Sequence, residues 1–307
     1  MQKVLLVEND NGFSGELIEF LKKNNCEVAR SGVNEALEKL EKEKPDIILL
    51  GIYSIEKEAL DFCDKIKSDR FNFLLPVVVY TKNDDINTKK DFLNKDVDDF
   101  MVKPFTLDEL LMRMQSVIRR LRQTRDSNPL TGLPGNISIS GEIKKRIANS
   151  EKFAVCYVDL DNFKAYNDRY GYEKGDEVLR FLAGTINTVL KNSGAKKDFL
   201  GHIGGDDFIV ITEIPKMEKI SNEIIDGFEK EIINFYNKED KEKGYITVKS
   251  RRGQVQLLPI MSISIGIAHN TKRKLYNVVQ VSEIAAELKE YAKAKKGSNV
   301  AIDRRAE

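Results

Sequence analysis

Short, largely apolar runs without polar alternation mark the first third of the chain: residues 4–7, 46–50 (apolar from Ile47 on) and 76–80, with shorter strands read at 27–29 and 100–102. A strand that is apolar on both sides has both faces covered, which is the condition of a parallel sheet flanked by helices. The intervening segments supply those helices. Phe13, Leu17, Phe20 and Leu21 fall at helical spacing, as do Ala36, Leu37 and Leu40, and then Leu60, Cys63 and Ile66. Five such units predict a doubly wound α/β domain with a five-stranded parallel sheet, its ligand site lying beyond the carboxyl ends of the strands.

Leu107, Leu110, Met114, Val117 and Leu121 then recur every three or four residues. Two readings stand side by side: a terminal helix packed on its own domain, or a helix that runs on as a dimerising stalk with a coiled-coil seam. Asp126-Ser127-Asn128-Pro129 ends it, because proline cannot continue a helix. The reading places a first domain with its stalk at 1–122 and a second domain at 123–307. The second domain alternates strands at 153–158, 199–203, 208–212, 245–250 and 260–268 with helices at 174–190, 216–236 and 281–295. This is an α+β sheet under helices, with a hairpin near its centre.

Composition narrows the function classes. The net charge of +1 gives no overall field for a polyanion, so nucleic acid is not expected as a partner. No run is long and apolar enough to span a membrane. Cys26, Cys63 and Cys156 form no CxxC pair and no even framework; they read as core fillers in a reducing, cytoplasmic compartment.

Carboxylates carry the chemistry. Asp159-Leu160-Asp161 ends one predicted strand, and Gly204-Gly205-Asp206-Asp207 joins two others. Two acidic clusters at strand ends suit divalent cations that activate a hydroxyl and neutralise a triphosphate. Gly204 and Gly205 permit a tight turn and a close approach of backbone to ligand. By itself such a turn also reads as an ordinary hairpin with solvated acids.

Residues 1 to about 120 resemble the receiver domain of response regulators: Thr81 follows the fourth strand and Lys103-Pro104 the fifth, as in that family. The resemblance implies an acidic pair after the first strand, holding magnesium, and a phospho-accepting Asp after the third. Gly51 stands at the acceptor position and offers no carboxylate. Glu8 remains of the pair, Asn9 replaces the other acid, and Asp10 lies one residue further on. A pseudo-receiver that is not phosphorylated is expected, kept for dimerisation or partner docking. Thr81 and Lys103 then persist as structural remnants, a satisfied hydroxyl and a lysine stem packed on the sheet.

Residues from about 126 to 305 resemble the GGDEF family, the diguanylate cyclases. The resemblance rests on Asn128-Pro129-Leu130-Thr131-Gly132-Leu133-Pro134, on Asp159 to Asp168 with Tyr170-Gly171 and Gly175-Asp176-Glu177, on Gly204 to Phe208, and on Ser262 to Ala268. It implies Mg2+ or Mn2+ held by Asp159, the Leu160 carbonyl, Asp206 and Asp207, with Asp207 as metal ligand or general base. It implies guanine read by Asn167 and Asp176, with Phe163 and Lys164 near base and phosphates. It implies a phosphate-binding Lys295, with Lys293 as second candidate because the spacing differs by one. GTP is the expected ligand and a homodimer the expected assembly.

This chain departs from the pattern at several points. Asp207 replaces the usual Glu, Tyr172 a His, and His202 and Ser298 arginines. Arg251 and Arg252 offer substitute cations, or else form a solvated hairpin tip. The product-inhibition window reads Ala195-Lys196-Lys197-Asp198, without its Arg, so feedback there is expected to be weak or absent. The resemblance implies condensation of two GTP to cyclic di-GMP. The departures leave an alternative, a catalytically inactive regulator that binds nucleotide or docks a partner.

Overall fold

The computed structural model describes residues 1–8, 14–52, 56–249 and 255–306. Asn9, Asp10, Phe13, Arg251 and Arg252 lie outside the described residues. The chain forms two compact units, Met1–Arg125 and Asp126–Glu307. No described helix is long and apolar enough to cross a membrane.

The first unit runs β1 (Gln2–Val7), α1 (Ser14–Lys23), β2 (Cys26–Ser31), α2 (Ala36–Glu43), β3 (Ile47–Ile52), α3 (Glu56–Ser68), β4 (Val77–Thr81), α4 (Ile86–Leu93), β5 (Asp99–Val102) and α5 (Leu107–Asp126). Its sheet is parallel throughout, in the order β2-β1-β3-β4-β5. Each apolar strand divides its side chains between two cores. Leu5, Val7, Ile48, Leu50, Val77 and Val79 enter one cluster, while Val4, Leu6, Ile47, Leu49, Val78 and Tyr80 enter the other. This is why the strands lack polar alternation. Helix α4 was not expected from apolar spacing; its start is written in Asp85, whose side chain accepts from the backbone of Asn87 and Thr88.

The periodic face of α5 is spent locally. Leu110, Met114 and Val117 are buried in the same core as β1 and β3, with Leu107 packed against it. Over its first three turns the helix packs on its own domain, and it runs on to Asp126 with Leu121 outside that cluster.

The second unit runs α6 (Asn136–Ala148), β6 (Ala154–Asp161), α7 (Phe163–Tyr170), α8 (Tyr172–Ser193), β7 (Phe199–Gly204), β8 (Asp207–Thr212), α9 (Met217–Ile232), α10 (Lys238–Lys243), β9 (Tyr245–Lys249), β10 (Val255–Pro259), β11 (Ser262–His269), α11 (Val278–Lys293) and β12 (Asn299–Ile302). The main sheet has the order β12-β11-β6-β8-β7, antiparallel except for the β11–β12 pair. Strand β9, expected to precede β11 directly, instead pairs with β10 in a separate antiparallel ribbon.

Alternation along β6 decides what each of its residues meets. Ala154, Cys156, Val158 and Leu160 enter the core that includes α8 and α9. Phe153, Val155 and Tyr157 enter the core formed with α6 and α11. Two residues further along the same face comes Asp159, which is thereby directed toward α11.

Candidate functional site

The hairpin β7–β8 turns through Gly205-Asp206, closed by the Gly204–Asp207 pair. Gly204 has φ 149° and Gly205 φ 59°, conformations that strongly favour glycine. A register irregularity between His202 and Gly204 tilts the turn.

His202 braces this turn and does not act as a cation. Its ring is buried, stacks on Phe208 at 4.1 Å between centroids, and places Nε2 2.9 Å from the Gly205 carbonyl and Nδ1 3.0 Å from Thr131 Oγ1. A carbonyl only accepts, so Nε2 carries the proton and Nδ1 accepts from the hydroxyl. Burial holds the imidazole below its ordinary value, which keeps it neutral. Thr131, in the Asn128–Pro134 segment, is thereby tied to the turn.

Asp159, Asp206 and Asp207 come together at the ends of β6 and β8, where two lysines of α11 reach them. Lys289 Nζ donates to Asp159 Oδ2 at 2.8 Å and to Asp207 Oδ1 at 2.5 Å. Lys293 Nζ, one helical turn on, lies 2.7 Å from Asp159 Oδ1 as an ion pair without the alignment of a hydrogen bond. Asp206 pairs with neither. Burial, and next the charge of Asp159, push its carboxyl up to about 6. The Asp159 side chain is 5% exposed and that of Lys289 12%.

The donor set fits a hard divalent ion in its chemistry: two carboxylates, buried Asp159 and half-buried Asp206, and the Leu160 carbonyl, with like charges crowded together. Its present spacing is that of a lysine-bound cluster. Among the described residues no three His, Cys, Asp or Glu side chains stand close enough to share one ion. Asp161 belongs elsewhere: it accepts from the hydroxyls of Ser262 and Ser264.

The lysines sort differently from the sequence expectation. Lys295 lies past the end of α11, exposed, its ammonium 4.7 Å from the centre of the Tyr291 ring. Lys293 is the one beside the carboxylates. Lys289 was missed, although its spacing from Lys293 puts the two on one helical face. Ser298, where a cation was expected, accepts from the Ile263 backbone N–H.

A second group of residues lies on α7 and α8. Asn167 Oδ1 is buried and has no hydrogen-bond partner among the described residues. A Cβ at position 175 would sit 1.8 Å from that oxygen, so Gly175 is what leaves room for the Asn167 amide. Asp176, half-buried at the start of α8, makes no side-chain hydrogen bond or ion pair among the described residues. Phe163 is buried beside them, 3.2 Å from the same Cβ position, while Lys164 is exposed. An unpaired buried amide oxygen is costly unless a ligand completes it.

In the first unit, the acceptor position is filled from across the sheet. Gly51 is in register with Tyr80, and a Cβ there would lie 2.6 Å from the Tyr80 hydroxyl oxygen. That buried phenol donates to Glu8 Oε2 at 2.7 Å. Thr81 Oγ1 accepts from the Asn83 backbone N–H, and the Lys103 ammonium lies 5.6 Å from the Tyr80 ring centre.

Comparison with known proteins agrees with the two-unit division. Residues 125–299 match the model of the diguanylate cyclase GGDEF domain, and residues 4–115 that of the response regulator receiver domain. Diguanylate cyclase DgcP of Pseudomonas aeruginosa is 31% identical over 101 residues, which cover 32% of this chain and 14% of that protein. Response regulator MprA of Mycobacterium avium is 31% identical over 127 residues, 41% of this chain and 54% of that protein. The chain thus spans less than two thirds of either relative. Among solved structures, the GGDEF domain of DgcB from Caulobacter crescentus in complex with c-di-GMP superposes with a TM-score of 0.43 at 20% identity, covering 58% of this chain and 95% of that one.

Proposed function

This chain belongs to the diguanylate cyclase GGDEF-domain family and carries a receiver domain ahead of that domain, and we propose that it acts in cyclic di-GMP signalling as a GTP-binding cyclase. Each GGDEF domain takes one GTP. In a homodimer the 3′-hydroxyl of each attacks the α-phosphorus of the other, forming two phosphodiester bonds and releasing two pyrophosphates.

The observation that carries the nucleotide reading is the buried Asn167 Oδ1, without a partner among the described residues, beside the carboxylate of Asp176, which is uncommitted among them too. Guanine offers paired N–H donors and a carbonyl acceptor on one edge. An amide with a carboxylate satisfies both kinds of group. The triphosphate then extends toward the Gly204–Asp207 turn, with Lys293 within reach of its oxygens. Asp159, the Leu160 carbonyl and Asp206 are the residues that would hold a divalent ion. Such an ion, when bound, neutralises triphosphate charge and makes a hydroxyl more acidic. Asp207 is then placed to accept the hydroxyl proton.

The receiver domain is proposed to work without phosphorylation, as a dimerisation or docking module. Gly51 has no carboxylate to phosphorylate, and the Tyr80–Glu8 hydrogen bond occupies the place where one would stand.

One observation favours a second reading, a nucleotide-binding regulator without turnover: Asp207, the proposed base, is already bound to Lys289. Incubating the purified protein with GTP and Mg2+ or Mn2+, and separating products by chromatography, decides between them. Cyclic di-GMP that disappears in Asp206→Ala supports the cyclase. GTP binding without product supports the regulator. Absence of GTP binding overturns both.

A further inference from the structure

We propose that Lys289, which bridges Asp159 and Asp207, is a built-in counter-cation that competes with divalent metal for Asp159, so that loading metal at this site requires its ammonium to be displaced. The inference rests on the GTP-binding cyclase reading in its consequence for metal and nucleotide, and on the ion pairs alone in its cause.

The ammonium occupies a bridging position. It contacts one carboxylate from the end of β6 and one from the start of β8, at 2.8 and 2.5 Å. A cation held between Asp159 and Asp206 must share the Asp159 carboxylate with this ammonium. Lys293 already stands 2.7 Å from the other oxygen of Asp159, so neither oxygen of that side chain is unclaimed. The carboxylates Asp159, Asp206 and Asp207 bring three negative charges and the two lysines return two positive ones. A dication added with both ammoniums in place would meet like charge within a few ångströms, which disfavours binding at a buried site.

Helix α11 packs backbone to backbone on β11 at the turn that carries Lys289. A Cβ on Gly266 of β11 would lie 2.2 Å from the Ala285 carbonyl oxygen and 2.4 Å from the Lys289 nitrogen. Helix and strand backbones therefore touch at the turn that carries Lys289. The ammonium sits at the end of a flexible four-carbon stem that can swing while the helix stays packed. A triphosphate offers the displaced ammonium a new anionic partner. Nucleotide and metal are then expected to load cooperatively, with the nucleotide drawing Lys289 off Asp159 and Asp207.

The test is a Mn2+ titration of the full-length protein without nucleotide, followed by electron paramagnetic resonance, for the wild type, Lys289→Met and Lys289→Arg. Removing the charge is expected to tighten Mn2+ binding by on the order of tenfold or more, the scale on which groups next to a metal ligand act. Lys289→Arg, which keeps the charge, is expected to bind Mn2+ as weakly as the wild type. Equal Mn2+ affinity in the wild type and Lys289→Met overturns the proposal. Thermal unfolding provides the second readout: Mn2+ should raise the melting temperature of Lys289→Met more than that of the wild type, because it replaces the missing counter-charge on buried Asp159. A Lys289→Met protein that is destabilised and gains nothing from Mn2+ also overturns the proposal. GTP binding is measured separately with a fluorescent GTP analogue. Its absence would refute the nucleotide reading, while the Mn2+ comparison still decides the role of Lys289.

Discussion

Restoring an aspartate at the empty acceptor position is expected to damage the receiver domain without reviving it. In Gly51→Asp the new Cβ would stand 2.6 Å from the Tyr80 hydroxyl oxygen, 2.7 Å from Cζ and 2.9 Å from Cε2. Tyr80 is fully buried, and Gly51 belongs to a strand buried along its whole length. Forcing extra atoms into such packing costs roughly 1–3 kcal/mol. Displacing the phenol also breaks its 2.7 Å bond to Glu8, whose other oxygen already has no hydrogen-bond partner among the described residues. Leaving that carboxylate bare adds about 1–3 kcal/mol. The lower ends of the two terms together, about 2 kcal/mol, correspond to a fall of roughly 8 °C or more in the melting of a domain this size. Calorimetry on the full chain reads the stability, and intact-mass measurement after acetyl phosphate and Mg2+ reads phosphorylation. Gly51→Asp should melt lower and take no phosphoryl group. Gly51→Asp with Tyr80→Val should recover only the steric part of the loss, because the smaller side chain vacates the colliding space while Glu8 still lacks the phenol donor. A Gly51→Asp protein as stable as the wild type, or one phosphorylated on the introduced carboxylate with Tyr80 in place, would refute this account of why the pocket is closed.

Asn167→Ala and Asp176→Ala should each weaken GTP binding by about tenfold or more, the worth of one buried hydrogen bond to a ligand, with unchanged melting for the Asp176 variant, whose half-buried carboxylate holds no partner among the described residues; calorimetric titration measures the binding and thermal unfolding the stability. The brace at His202 makes stability depend on pH. Burial holds its folded pKa below 6.5, so the unfolded chain takes up a proton first; the contribution is complete above 6.5 and is lost as pH falls from there toward the folded value. Urea unfolding at about pH 7.5 and about pH 5.5 should show that loss, and His202→Asn should reduce it; equal pH dependence in the two proteins would remove His202 as its source. Cyclic di-GMP should form no tight stoichiometric complex that depends on Asp198, whose carboxylate is engaged by the Ala195 backbone N–H at 2.7 Å in a window lacking arginine. Titration of wild type against Asp198→Ala checks this.

The layout of both units was legible in the sequence where the physics is local. Apolar runs without alternation announce a covered parallel sheet, and Gly204-Gly205 announce a turn because only glycine readily takes those dihedrals. The missing carboxylate at Gly51 is likewise a one-residue fact. Less was legible where apolar spacing is weak. Helix α6 is interrupted by Ser138, Ser140 and Gly141, and its start depends on the Asp126 carboxylate accepting from the Ile137 and Ser138 backbone N–H groups. Strands β10 and β12 are too short to show a period.

The site itself divides along the same line. Sequence alone determined which carboxylates and amides are present and in what order, and the resemblance they carry was enough to expect guanine nucleotide. Only the tertiary structure decided what those groups touch. Lys289 reads as one more charge on a helix until β6, 130 residues earlier, brings Asp159 to within 2.8 Å of it. Tyr80 reads as a strand residue until register sets it against Gly51. Charge and steric exclusion act through space over a few ångströms, and chain order does not specify which distant residues fold to that distance.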